Sequence, residues 1–386
     1  MSRNHILHNL RKRFIAFFAF TSAILSLLIF PKAVVSQDTF VKSPYIIFNN
    51  NVHGMRLLWQ NDDNSTCDVV LINTVSGSSV TYRSNEINEF HQHILNIDSL
   101  QSGDLYSYKI SCNGKTENGS FRARPYSNLS SFSFFAYGDT RTFPENHNLV
   151  AAEMAKLIKA NNSNQTFVVA TGDMVANGDK EEDWAEQFFN KQYSGIQELL
   201  ANMPYMSAMG NHEGQGDLFE RYFPYDYNTA NKFYYSFDYG IVHFIVIDQF
   251  ANYSKGSEQY KWIVSDLESN KSKWVIAMMH KPGYTAGGHR NSKAVQRVLQ
   301  PLFKDYNIKL VLTGHNHYYA RAEVDGVTHI TTGGGGAPLY YPKKKKFITT
   351  IDRSFHFCKI DVSNDSLIVS AIRSDGTLIE KFTIKR

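Results

Sequence analysis

At 386 residues, with 42% apolar and 20% charged residues, the chain is long enough for two packed domains and too apolar for a disordered one. Its formal net charge of +4 is mild. No long basic block of the kind nucleic-acid binders concentrate on one face is present, so no nucleic-acid partner is expected.

The N-terminus has the order of a secretory leader. Arg3, Arg11, Lys12 and Arg13 precede an uncharged apolar run from Phe14 to Phe30, and Ala33-Val34-Val35-Ser36 offers small residues before Gln37. The run is short for a bilayer span. We read residues 1–36 as a signal peptide and the protein as secreted, periplasmic or otherwise outside the cytoplasm. An uncleaved membrane anchor is the alternative. Export permits disulfides. Cys67 opens an apparent strand and Cys112 closes another, so the two sulfurs meet if those strands are antiparallel neighbours. Cys358, inside an apolar run, reads as an inert buried thiol.

Residues 40–125 carry only strand signals. Ile46–Phe48, Met55–Trp59, Val69–Ile72, Val80–Arg83, Phe90–Ile97, Leu105–Ser111 and Ser120–Arg124 are short apolar or alternating runs separated by Asn, Asp, Ser and Gly. That spacing predicts a β-sandwich. The stretch Leu100-Gln101-Ser102-Gly103-Asp104-Leu105-Tyr106-Ser107-Tyr108 resembles a signature of fibronectin type III-like domains. Arg122–Asn128, with Pro125, reads as a linker.

Over residues 129–386 strands alternate with helices, which predicts an α/β domain. Phe132–Tyr137 is a strand, and Val150, Met154, Leu157 and Ile158 share a helical face. Phe167–Ala170 is a strand followed by a helix from about Glu181 to Leu200. Tyr260, Ile263, Val264 and Leu267 mark another helix, Trp274–Met278 a strand, Val295–Phe303 a helix, and Lys309–Leu312 a strand. Val327–Thr332, Phe355–Val362, Ser366–Ser374 and Leu378–Ile384 close the chain as strands.

The chemistry gathers where strands end. Phe134–Tyr137 runs into Gly138-Asp139, Val168–Thr171 into Gly172-Asp173, and Met206–Met209 into Gly210-Asn211-His212-Glu213. Ile276–Met279 runs into His280, and Val311–Thr313 into Gly314-His315-Asn316-His317. In α/β sheets, ligands collect at the C-terminal ends of strands, and glycine lets the backbone turn tightly there. One Gly-Asp is ordinary turn chemistry; five such ends in a row form a donor set. Asp139, Asp173 and Asn211 offer hard oxygens, and His280, His315 and His317 offer imidazoles. With one carboxylate shared, these six suit two divalent ions, and Asp173 is the candidate to be shared. Glu213 reads as orienting His212 or its loop, and His243, His329 and His356 as structural.

The order Gly-Asp, Gly-Asp, Gly-Asn-His-Glu, His, Gly-His-x-His resembles the calcineurin-like metallophosphoesterase superfamily. With the fibronectin-like front domain it is most similar to the purple acid phosphatase branch. The resemblance implies a β-sandwich N-terminal domain followed by an α/β metallophosphoesterase sandwich of two mixed sheets flanked by helices. It implies two divalent or trivalent metal ions, such as Fe, Zn or Mn. Asp139, His317 and Asp173 would hold one, and Asp173, Asn211, His280 and His315 the other. His212 would protonate or stabilise the leaving oxygen, and His289, in Gly287-Gly288-His289-Arg290, matches a substrate-phosphate histidine. The glycine-rich run Gly333–Gly336 is similar to a superfamily loop that passes close to the metals.

The expected function is that of an exported dinuclear phosphoesterase hydrolysing small phosphate monoesters by metal-hydroxide attack. The alternatives are a phosphodiesterase on nucleotide or lipid head-group esters, and a weakly active or non-catalytic exported binding protein. Two positions depart from the family pattern. Ala176 stands where purple members carry a metal-binding Tyr, and Arg141 where other branches carry His. The first ion is thereby one donor short. His147, at the start of the next helix, either reaches in as a seventh metal ligand or is an exposed helix N-terminal residue, and Arg141 could instead hold a substrate phosphate.

Overall fold

The computed structural model describes residues 39–126 and 128–386, so the leader expected over residues 1–36 lies outside it. The described residues fall within one compact unit, Asp38–Arg386.

The front of that unit is a β-sandwich. Strands β1 (Phe40–Ile47), β2 (Met55–Asn61) and β5 (Gln92–Ile97) form one sheet in the order β1-β2-β5. Strands β3 (Cys67–Asn73), β4 (Ser79–Ser84), β6 (Leu105–Cys112) and β7 (Lys115–Arg122) form the other, in the order β4-β3-β6-β7. All pairings are antiparallel. Residues of β3 alternate between buried and more exposed, as a strand with one face on a core must. Strand β7 begins at Lys115, five residues before the expected start. Asn113 and Gly114, at φ 46° and 75°, turn the chain straight back from β6. Because β3 runs antiparallel to β6, Cys67 lies beside Cys112, and the two form a disulfide with Cα atoms 4.5 Å apart. By limiting the unfolded chain, such a link stabilises a fold by about 2–4 kcal/mol. Cys358 is buried and unpaired, its thiol pushed up to about 12 by burial.

The second part packs two mixed sheets face to face. One has the order β10-β9-β8-β18-β19-β20, from β8 (Phe132–Tyr137), β9 (Val168–Ala170), β10 (Tyr205–Ser207), β18 (His356–Val362), β19 (Ser366–Arg373) and β20 (Leu378–Lys385). The other has the order β11-β12-β13-β14-β16-β15-β17. Its strands are β11 (Tyr235–Tyr239), β12 (Val242–Val246), β13 (Trp274–Met278), β14 (Leu310–Thr313), β15 (Tyr319–Val324), β16 (Val327–Thr332) and β17 (Ile348–Asp352). Strands β8, β9 and β10 are mutually parallel, as are β12, β13, β14 and β16. Aromatic rings fill the space between the sheets. Phe134 of β8 meets Phe244 of β12 edge-on at 5.2 Å, and Phe167 lies flat on Phe134 at 5.3 Å. The sandwich is fastened to this core. Phe48, just past β1, packs on Phe167 and Phe237, and the Tyr45 hydroxyl donates to the Tyr222 carbonyl at 2.8 Å.

The helix expected from about Glu181 to Leu200 is two segments. An irregular turn of wide, π-type geometry ends at Phe188, and a separate helix covers Ser194–Asn202. Between them the Asn190 carboxamide accepts the Gln192 N–H, a local bond that competes with helix continuation. The helix expected over Val295–Phe303 is present but widens into a π-type turn over Val295–Leu299, just before Pro301, which has no N–H to give.

His243 on β12 is held by two carboxylates, Asp238 at 2.8 Å on Nδ1 and Asp266 at 2.7 Å on Nε2. Burial alone would lower its pKa, but the bonds and charges of Asp238 and Asp266 raise it to about 9. The folded value exceeds the unfolded one near 6.5. The stabilisation is therefore fully present below pH 6.5 and is lost as pH rises through about 9. The melting-temperature advantage of the wild type over His243→Leu, followed from pH 5 to 10, should shrink across that window; an advantage independent of pH would refute the ion-paired state.

Candidate metal centre

Five parallel strands aim their C-terminal ends at one place, three from one sheet (β8, β9, β10) and two from the other (β13, β14). The site therefore lies at the C-terminal ends of strands from both sheets. Asp139 follows β8, Asp173 follows β9, Asn211 and His212 follow β10, His280 follows β13, and His315 and His317 follow β14. Asp139, Asp173 and His315 have φ of 58°, 56° and 67°. Non-glycine residues adopt that left-handed backbone at a cost, and they gather where a side chain must be aimed. The neighbouring glycines are required by crowding. A Cβ on Gly210 would meet Asp173 Oδ1 at 2.3 Å, and one on Gly314 would meet Asp139 Oδ2 at 2.3 Å.

Two donor groups result. Donor atoms of Asp173, His280 and His315 lie within 4.8 Å of one another, as do those of Asp139, Asp173 and His317. Asp173 belongs to both. His280 Nε2 lies 3.2 Å from Asp173 Oδ1, 3.2 Å from Asn211 Oδ1 and 3.1 Å from His315 Nδ1. His317 Nε2 lies 3.5 Å from Asp139 Oδ1.

The outer nitrogens of these rings decide which face is bare. His280 Nδ1 donates to the Thr171 carbonyl at 2.7 Å, and His317 Nδ1 to the Pro338 carbonyl at 2.8 Å. His212 Nδ1 does the same to the Ala176 carbonyl at 2.6 Å. Each ring keeps its proton outside and turns the Nε2 lone pair inward, as ligating imidazoles do. Around His280 Nε2 this gathers acceptors that either a proton on that nitrogen or a metal ion can satisfy. Burial would lower the His280 pKa, but the Asp173 charge and hydrogen bond raise it to about 9. A proton at that nitrogen and a metal ion compete for one lone pair. His315 is pushed down to about 2, by burial and then by the neighbouring His280 and His289, which leaves its nitrogen free to ligate. For Asp173 burial works upward, but His280 and His212 outweigh it and hold the carboxyl below its usual range. Asp139 and Asp173 are 0% and 1% exposed, and Arg141 Nε stands 3.7 Å from Asp173 Oδ2. Two buried carboxylates among inward-facing imidazoles fit a site built for bound cations.

Glu213 lies beneath. Fully buried, it accepts the N–H groups of Asp173 (3.0 Å), Met174 (2.7 Å) and Gly210 (2.6 Å). It thus pins the turn carrying Asp173 to the turn carrying Asn211. Burial, then the Asp173 charge, raises its pKa to about 7.

The mouth is lined by His212, His289, Arg141 and Tyr340. His212 Nε2 is 3.8 Å from Asp173 Oδ2. The His289 ring stacks on His315 at 4.0 Å, and its backbone N–H donates to Asn316 Oδ1 at 2.7 Å. Tyr340 was not singled out from the sequence. It stacks on His317 at 4.2 Å and brings its hydroxyl 3.4 Å from His289 Nε2. The glycine-rich loop delivers it. Gly335 and Ala337 donate to the carbonyls of Gly138 and Asp139, and the chain then passes to Pro338 and Tyr340.

His147, considered as a further ligand, stands outside both donor groups. Its Nε2 is 2.8 Å from the Tyr137 hydroxyl, its ring packs on Phe188, and burial lowers its pKa to about 3. It is a buried partner of Tyr137. His329 and His356 are likewise buried, bonded to Gln300 and to the Ser354 carbonyl.

Residues 134–319 match the family model of the calcineurin-like phosphoesterases, and the α/β part is a domain of that class. Within the class the chain is similar to purple acid phosphatases. It is 26% identical over 261 residues to probable purple acid phosphatase 20 of Arabidopsis thaliana, covering 62% of this chain and 56% of that one. It is 29% identical over 142 residues to purple acid phosphatase 15 of the same plant, covering 33% of this chain and 27% of the relative. A purple acid phosphatase from yellow lupin (Lupinus luteus) seeds has the same fold, with a TM-score of 0.75 at 22% identity over 89% of this chain and 75% of that one. The chain spans little more than half the length of these curated relatives at most.

Replacing Glu213 by Gln turns one of its two acceptor oxygens into a donor facing one or two of the three backbone N–H groups. We expect a loss of about 3 kcal/mol in unfolding free energy, together with reduced metal uptake. Chemical denaturation and metal analysis of Glu213→Gln test this; wild-type values in both would rule out the pinning role.

Proposed function

We propose that the protein is an exported phosphoesterase with two metal ions, acting on phosphate monoesters. The observation that carries the reading is the position of Asp173 within both donor groups. Asp139, Asp173 and His317 would hold one ion, and Asp173, Asn211, His280 and His315 the other. Bound ions of this kind polarise phosphoryl oxygens and lower the pKa of water held beside them.

The protein's own groups do the rest. Asp139 and Asp173 arrive already oriented, fixed by backbone donors from His315 and His212. Asn211 aims its carboxamide oxygen at the same point as His280 Nε2. His212 keeps Nδ1 on the Ala176 carbonyl, so Nε2 is the atom available at the mouth. As the imidazolium, protonated at both nitrogens, it would hand the Nε2 proton to the departing alkoxide oxygen, which must gain one as the P–O bond breaks, and would be left neutral with its remaining proton on Nδ1. His289, at the exposed rim, takes a phosphoryl oxygen by hydrogen bond. No side-chain nucleophile is needed, and no covalent phosphoenzyme is expected.

The division into a leader over residues 1–36, a front domain over 40–125 and a catalytic domain over 129–386 belongs to this reading, as does export. Among the described residues no helix is long and apolar enough to cross a membrane.

A second reading, an exported binding protein on a weakened site, draws on Ala176 and Arg141, two positions that supply no donor. Metal analysis separates the two, since about two ions per chain favour the enzyme. Asp173→Asn should lower p-nitrophenyl phosphate turnover more than about a hundredfold, because even an outer-shell partner of a metal costs about 10–100-fold. Wild-type turnover in a metal-loaded Asp173→Asn sample would sink the assignment. Bis(p-nitrophenyl) phosphate assayed in parallel distinguishes diester from monoester action.

A further inference from the structure

Arg141 stands at the mouth with its guanidinium only partly engaged. Its Nε is buried and has no hydrogen-bond partner. The nearest acid oxygen is Asp173 Oδ2 at 3.7 Å, too long for a hydrogen bond. His212 Nε2 approaches that same oxygen at 3.8 Å. Arg141 and His212 therefore flank one carboxylate oxygen. Burial raises the Tyr340 pKa, and the nearby Arg141 charge works against that rise.

The side chain is held there by a strained support. Thr142 has φ of 79°, a backbone region that a β-branched residue enters only under constraint. Its N–H donates to Gln187 Oε1 at 2.7 Å, and the same oxygen accepts the Ala176 N–H at 2.8 Å. The Thr142 hydroxyl in turn accepts Arg141 Nη1 at 3.0 Å. Gln187 lies in the irregular π-type turn Trp184–Phe188, a geometry that often marks functional sites. One carboxamide thus ties the loop after β8 to the loop after β9, and the tie fixes the guanidinium.

We propose that Arg141 is a substrate-binding residue that clamps the phosphoryl oxygens in the mouth, with Thr142 and Gln187 as its positioning residues. This deepens the phosphoesterase reading and rests on it for the identity of the substrate. A guanidinium is permanently charged and presents paired donors that match phosphate oxygens. One whose Nε–H is free, beside His212, supplies a fixed positive group at the mouth of the site.

The test is calorimetric binding of inorganic phosphate to the metal-loaded full chain, with metal content measured on each sample. Arg141→Ala should weaken phosphate binding by about tenfold or more and leave the metal content unchanged. Arg141→Lys should recover only part of the loss. Unchanged phosphate affinity in Arg141→Ala overturns the proposal, and so does a fall in metal content, which would make Arg141 a support for the ions. Should Arg141→Ala fail to fold, Gln187→Ala, which leaves Arg141 in place but frees Thr142, must weaken phosphate binding at constant metal content; unchanged affinity there overturns it equally. A wild type that hydrolyses no ester, yet binds phosphate through Arg141, would end the enzyme reading and keep the clamp. A wild type that hydrolyses esters with Arg141→Ala binding phosphate equally well would do the reverse.

Discussion

The centre depends on one buried carboxylate held in place from below. Asp173 sits at positive φ, is nearly inaccessible, and shares its oxygens between two clusters of donors. A charge in that position is costly unless every neighbour is arranged for it. Glu213 braces its backbone, His212 donates an N–H to Oδ1, and His280 faces it with a nitrogen whose other side is fixed by Thr171. The inward lone pairs, the glycines that leave room for oxygens, and the convergence of two sheets are consequences of keeping that carboxylate charged.

The wider fold serves this geometry by rigidity. The strands that deliver the donors belong to parallel blocks whose residues are almost wholly buried. Ligands placed at the first residues after such strands inherit their order. Second contacts come from backbone carbonyls rather than from mobile side chains, so few rotamers remain to be frozen when a cation enters.

Much of this was legible in the sequence because each donor follows an apolar run, and the run reveals the strand. Gly138-Asp139, Gly172-Asp173, Gly210-Asn211-His212 and Gly314-His315 carry their structural context beside them. Residues that act across the fold left no such mark. Gln187 looks like any polar residue on a helix, yet its amide joins two loops. Tyr340 reaches the site only because the glycine-rich loop doubles back. His147 had the right chemistry and the right neighbourhood, but a buried tyrosine hydroxyl claims its nitrogen, and periodicity does not report such a claim. The helix written through Asn190 failed for a related reason, since a side chain bonding its own backbone is invisible to hydrophobic spacing.

The aromatic joint between the front sandwich and the α/β core bears on how this protein could change over evolutionary time. Phe48 rests on Phe167, a ring that also packs on Phe134 and Phe244 between the two sheets. Gene rearrangement could not delete the sandwich without stripping cover from rings that brace the roots of β8 and β9. The front module is thus structurally part of the support beneath the donor strands, and replacing it would require a module that seats an aromatic side chain at the same spot.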